Sequence, residues 1–139
     1  MDNPFLGPLQ MVAFYAAINA LIMLVLGMLV TRARVKTQTE IGDGGNPSMA
    51  GPLRAHANNT ETVPIVIVLL LVMLLFQVNI VIIHLVGGFL TLGRLLHAFG
   101  LSRNTGASTP RLLGMIFTWL STIIAIAVVL WFAFSTPSA

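Results

Sequence analysis

Four long apolar runs, separated by short polar stretches, make up almost the whole sequence. The first, Leu9–Val30, gives way to Thr31–Lys36 (TRARVK) and predicts a helix over 8–35, with Pro8 in the first turn, where its missing N–H costs nothing. The second apolar run is shorter, Val63–Phe76, and follows the polar stretch RAHANNTET. Together they predict a helix over 48–76 that projects beyond a bilayer or faces a wet cavity, with Pro64 kinking it or loosening a turn. Only Gln77-Val78-Asn79 separates it from a third helix over 81–99, in which Gly87, Gly88 and Gly93 permit close helix approach in lipid. After the polar LSRNTGAST, Thr109-Pro110 reads as an N-cap followed by proline at the first helical position, opening a helix over 110–134 with Trp131 as an interfacial anchor.

Hydrocarbon about 30 Å thick takes roughly 20 apolar residues per helix. The expected fold is therefore all-α, a single integral membrane four-helix bundle spanning 1–139. Composition agrees: 57% of the 139 residues are hydrophobic and 8% charged, against about a quarter charged in soluble domains. No room remains for a separate soluble domain. Asp2 replaces the basic start of a signal peptide, so the first apolar run is expected to be a retained helix. The glycine-rich IGDGGNPSMAG segment follows no strand and is read as a turn, since its backbone would go unpaired in lipid. Cysteine is absent, which excludes disulfides and cysteine nucleophiles and requires any thiol to come from a substrate.

Charge distribution says more than the net +3. All seven Lys and Arg residues (Arg32, Arg34, Lys36, Arg54, Arg94, Arg103 and Arg111) fall at the four helix ends that share one side. The positive-inside rule puts that side in the cytoplasm and both termini outside. Topology signalling suffices for Arg32, Arg34, Lys36 and Arg103. It explains Arg54 and Arg111 less well, because both sit in predicted helices near polar residues.

Arg54, Asn58 and Glu61 are spaced i, i+4, i+7 and share a helical face. An ionised Glu at that depth needs a cation nearby. The face is equally a self-satisfied polar network or a site for a zwitterion: guanidinium matches carboxylate in bidentate fashion, and Glu accepts from ammonium. Arg94 and His97 can face one side of the third helix. His56 reads as a group at the membrane edge, and His84 as a partner for a neighbouring helix. No histidine pair has metal-ligand spacing, so no metal is expected. Methionines and phenylalanines read as packing and lipid contact.

The stretch GDGGNPSMAGPLRAHANNTETVP resembles the second-helix signature of the membrane-associated proteins in eicosanoid and glutathione metabolism, the MAPEG family, through Arg54, Asn58, Glu61 and Pro64. GRLLHAFG (93–100) and PRLLGMIFTW (110–119) are similar to its third-helix end and fourth-helix start, and the GDGG loop looks like the small bacterial branch. The resemblance, from about Arg32 to Trp119, implies a homotrimer, a bacterial inner-membrane setting, and glutathione as co-substrate held between subunits near the cytoplasmic face. By position it implies that Arg54, Asn58 and Glu61 contact glutathione and that Arg111 steadies its thiolate. Arg34 or Arg32, Arg94 and His97 complete the candidate set. The chain departs from the pattern at Thr62 and Phe99, where relatives carry tyrosine, and Tyr15 lies in the other half of the first helix. Thiol activation would then rest on arginine, with His97 or Thr62 as helpers.

Three functions follow. The first is a glutathione-dependent transferase or peroxidase acting on lipophilic electrophiles or hydroperoxides. The second is a non-catalytic accessory subunit of the same fold, alone or in a larger membrane complex. The third is a small proton-coupled transporter, disfavoured because Glu61 lies near one end of its span. The expected partners are the bilayer, other copies of the chain, glutathione and a lipophilic small molecule. No nucleic acid is expected.

Overall fold

A computed structural model describes residues 6–103 and 106–135, with the side chains of 102 and 103 excepted. Those residues form four helices, α1 (Leu6–Thr37), α2 (Pro47–Leu75), α3 (Ile80–Arg103) and α4 (Thr109–Ser135). All four are long and apolar enough to cross a membrane. The chain is an all-helical integral membrane protein. Large apolar side chains stand exposed on every helix, among them Met28, Val68, Val81 and Trp131. Lipid tails are as apolar as these groups, so such exposure carries no penalty in a bilayer.

The helix ends are made by local chemistry. The Asn46 side chain accepts from the Ser48 N–H at 3.0 Å, and Pro47 takes the first helical position of α2. Pro52 and Pro64 both lie inside α2, which runs through them. Asn79 caps α3 in the same way, its oxygen 2.9 Å from the Val81 N–H. At α4 the Leu112 N–H bonds to the Ser108 carbonyl at 3.0 Å, so the cap is Ser108, one residue before the expected Thr109.

Two C-termini end identically, each on a glutamine in the left-handed region: Gln38 at φ 53° and Gln77 at φ 54°. After Gln77 the Val78 N–H returns to the Met73 carbonyl (3.1 Å) and the Gln77 N–H to the Leu74 carbonyl (3.0 Å). After Gln38 the Thr39 N–H returns to the Arg34 carbonyl at 3.1 Å. These are Schellman closures, in which glycine is the usual left-handed residue. The first lets α2 reverse into α3 in four residues, with Val78 buried beside Met73.

α1 packs on α2 and α3, α4 packs on α3 and α2, and α1 and α4 do not touch among the described residues. The α3–α4 contact is the tightest, because glycine lies at each crossing point. A Cβ on Gly114 would sit 2.5 Å from the His97 nitrogen, and one on Gly93 2.9 Å from the Gly114 oxygen. Farther along, a Cβ on Gly100 would sit 2.7 Å from the Arg111 nitrogen. α3 continues to Arg103, past the expected end at Phe99, because Leu101 is buried against Ile22, Leu26 and Ala55.

That small cluster is separate from the larger one around Val66, Leu70, Met73, Ile83 and Leu90. Between them every helix contributes buried polar groups: Asn19, Asn59, Arg94 with His97, and Thr118 with Ser121.

Two substitutions test these ends and crossings. Gln77→Gly removes the left-handed cost and should raise stability by about 1 kcal/mol. Gly114→Ala forces a methyl into the α3 backbone and should lower it by about 1–3 kcal/mol. Thermal unfolding midpoints in detergent check both.

Candidate functional site

The polar layer is organised around Arg94. Its side chain is 2% exposed, well inside the bundle. A buried guanidinium must be held by hydrogen bonds. Arg94 Nε and Nη2 both donate to Thr118 Oγ1, at 3.1 and 2.6 Å, and Nη1 donates to Asn58 Oδ1 at 2.6 Å. Thr118 Oγ1 passes its own hydrogen to the Gly114 carbonyl at 2.8 Å. Two accepted bonds and one donated bond use the full capacity of a hydroxyl. One side chain thereby ties α2, α3 and α4 together. His97 is buried next to it, one turn on, against the α4 backbone at Gly114.

The face of α2 predicted from spacing is present and splits in two. Asn58 is half-buried and turned to Arg94, whereas Arg54 and Glu61 are exposed. Neither Arg54 nor Glu61 forms a hydrogen bond or ion pair among the described residues. Among the described residues of the protomer, no cation pairs with Glu61. Thr62 donates its hydroxyl to the Asn58 carbonyl at 2.7 Å, so that hydrogen is engaged on the helix backbone.

Arg111 lies in the first turn of α4 and donates to the Gly106 carbonyl at 3.3 Å. It lines an open groove of about 660 Å³ with Ser108, Leu112 and Met115. A second groove of about 640 Å³ opens between α1 and α2, lined by Met23, Met28, Thr31, Arg32 and His56. The α1 arginines divide their tasks. Arg34 Nη1 donates to the carbonyls of Thr39 (3.3 Å), Glu40 (3.0 Å) and Gly42 (3.1 Å), clasping the glycine-rich turn. Arg32 is exposed and makes no hydrogen bond among the described residues. The Arg103 side chain lies outside the described ones.

Tyr15 is far from this end. Its hydroxyl meets His84 Nδ1 at 3.0 Å, and its ring occupies the space left by Gly87. His84 thus bonds to a neighbouring helix, the role its isolation suggested. Asn19 donates to the Tyr15 carbonyl and to Thr91 Oγ1, both at 2.9 Å, adding a second α1–α3 tie.

Sequence reasoning missed Thr118. A lone threonine in an apolar helix ordinarily bonds back to its own backbone, and no local pattern links it to an arginine on the preceding helix.

The geometry yields a prediction for the turn. Arg34→Ala leaves three carbonyls unclasped, so residues 38–46 should be cleaved several-fold faster by a soluble protease, with helical circular dichroism unchanged.

Comparison with known proteins gives a consistent result. The model of the MAPEG family matches residues 12–131. Inner membrane protein YecN of Escherichia coli K12 is 32% identical over 120 residues, covering 86% of this chain and 90% of that protein. YecN of Escherichia coli O6:H1 matches with the same identity and coverage. No solved structure gives a significant match.

Proposed function

The chain belongs to the MAPEG family, and from that premise we propose that it is a glutathione-dependent transferase or peroxidase of the bacterial inner membrane, working as a homotrimer on lipophilic electrophiles or hydroperoxides. The observation that carries the reading is the outward half of the α2 face. Arg54 and Glu61 flank Asn58, exposed and unpartnered among the described residues, in a helix long and apolar enough to cross a membrane, where lone charges are costly. A zwitterionic peptide thiol answers both charges at once, its carboxylates meeting guanidinium and its ammonium meeting Glu61. Being open on the protomer, this face leaves the opposite wall of a site to a neighbouring copy. Among the α1 arginines, Arg32 is the better placed to add a carboxylate contact, since Arg34 already clasps its turn.

Thiol activation falls to Arg111. A nearby cation lowers a thiol pKa, and the positive end of the α4 dipole acts in the same direction. Leu112 and Met115 give the Arg111 groove an apolar wall suited to a lipophilic co-substrate. In the transferase reaction the thiolate sulfur bonds to the electrophilic carbon and displaces a leaving group or opens a ring. In the peroxidase reaction two glutathiones become the disulfide, and the hydroperoxide becomes alcohol and water. The basic loops would face the cytoplasm and both termini the periplasm.

One observation favours the second reading, a non-catalytic subunit of the same fold. No tyrosine hydroxyl is available at this end: positions 62 and 99 are Thr and Phe, and Tyr15 is bonded to His84.

Titration of glutathione into the purified protein, followed by heat and by thiolate absorbance, separates the two. Arg54→Ala and Glu61→Ala should each weaken binding about tenfold or more. Arg111→Ala should lower thiolate formation and turnover more than binding. Binding without ionisation selects the accessory reading, and no binding by the wild type ends the glutathione assignment.

A further inference from the structure

Asn58 carries more information than its place in the α2 motif. A carboxamide has an acceptor end and a donor end, and the two are nearly alike in shape. Here chemistry decides between them. Arg94 is donor-only, so the Asn58 atom 2.6 Å from Arg94 Nη1 is the oxygen. The nitrogen has no hydrogen-bond partner among the described residues and is not one of the buried side-chain atoms left without one. On half-buried Asn58 the nitrogen is therefore the end open to the surface, on the α2 face that Arg54 and Glu61 share.

What fixes Arg94 in turn is Thr118. Its single oxygen accepts from Nε and Nη2 and is itself locked by donation to the Gly114 carbonyl. Gly93 lets the hydroxyl come this close, since a Cβ there would lie 2.6 Å from Thr118 Oγ1. Neither Thr118 nor Arg94 is accessible, at 2% exposure each, so neither touches a ligand in the α2 face.

We infer that Thr118 and Arg94 are positioning residues, which hold the Asn58 carboxamide with its oxygen inward and its nitrogen outward so that Asn58 donates to a carboxylate or carbonyl oxygen of the bound ligand. The inference rests on the glutathione reading for the identity of that ligand. The face then reads, in chain order, as cation, neutral donor and anion. Of the three residues, Glu61 alone is left to receive an ammonium.

Three variants test it. Thr118→Val keeps the shape and removes the one oxygen that accepts both bonds. Thr118→Ser keeps the hydroxyl. Asn58→Asp keeps an oxygen for Arg94 and replaces the outward donor with an acceptor. Glutathione affinity is measured by calorimetry in detergent. The side-chain amide of Asn58, labelled with nitrogen-15, is followed by NMR in the absence of glutathione and assigned by its loss in Asn58→Asp. The expected results are a Kd at least fivefold higher in Thr118→Val, recovery to within twofold in Thr118→Ser, and a tenfold or greater rise in Asn58→Asp with no loss of thermal stability. The amide should give one sharp pair of signals in wild type and Thr118→Ser, and broadened or doubled signals in Thr118→Val.

If wild type fails to bind glutathione, the ligand assignment falls while the amide signals still judge the positioning. Unchanged amide signals in a folded Thr118→Val overturn the inference. So does equal loss of affinity in the Val and Ser variants, or Asn58→Asp binding as tightly as wild type.

Discussion

A guanidinium buried among apolar helices has few ways to exist, and much of this bundle follows from holding one. Arg94 cannot shed its proton as a lysine can, and it cannot reach water at 2% exposure. Every hydrogen bond described for it goes to a neutral oxygen, from Thr118 or Asn58. Those oxygens belong to α4 and α2, so satisfying the charge fixes both helices against α3. The close approach of α3 and α4 has the same origin. Gly93 and Gly114 bring the Thr118 hydroxyl within reach, and a methyl at either position would collide with the facing helix. Small residues therefore serve two ends, backbone packing in lipid and delivery of an acceptor to a buried cation.

The polar layer built on that contact divides the interior. On one side lies the cluster around Leu70, Met73 and Leu90, and on the other the smaller cluster of Ile22, Leu26, Ala55 and Leu101. Apolar packing alone gives little specificity in a bilayer, where tails compete equally for the same surfaces. A polar group is different, because its alternative is to go unpaired in hydrocarbon. The Asn19–Thr91, Ser121–Val86 and Arg94–Asn58 bonds therefore set the axial register of the helices, and the apolar clusters fill the space around that register. The same arithmetic gives α2 its division of labour. At 100° per residue, Asn58 is rotated by some 40° from Arg54 and about 60° from Glu61, enough to turn the middle residue toward α3 while its neighbours remain outside.

The spans were legible in the sequence because the bilayer leaves few alternatives: long apolar runs with short polar breaks must be helices that cross. Arg54, Asn58 and Glu61 were legible as a face for the same geometric reason. Other features were not. The polar last turn of α3 predicts an end at Phe99, yet Leu101 is core, and burial there depends on α1 and α2. Asn46-Pro47 is a readable cap, and it starts α2 at Pro47, one residue before the predicted start at Ser48. Gln38 and Gln77 carry no signal for a left-handed closure, which glycine normally announces. Above all, the Arg94–Thr118 contact joins residues 24 positions apart, and nothing local distinguishes Thr118 from Thr122, which bonds only to its own helix at 2.8 Å.

The missing tyrosines sharpen the chemistry this end of the bundle can perform. A hydroxyl assists a thiol by donating to the developing thiolate. Thr62 is already spent on the Asn58 carbonyl and Thr118 on the Gly114 carbonyl, whereas Ser108, in the wall of the Arg111 groove, has a buried hydroxyl with no hydrogen-bond partner among the described residues. Stabilisation of negative sulfur in the groove would therefore come chiefly from the Arg111 charge and the first turn of α4, with the Ser108 hydroxyl as a further donor. In water a unit charge at 4 Å contributes about 1 kcal/mol, and at the effective dielectric of a protein surface about 4 kcal/mol. The second figure corresponds to roughly three pKa units, enough to bring an ordinary thiol well below neutrality. A cation alone can thus ionise the thiol, provided the groove excludes most of the water, and covering that groove is what a neighbouring copy and a lipophilic co-substrate would do.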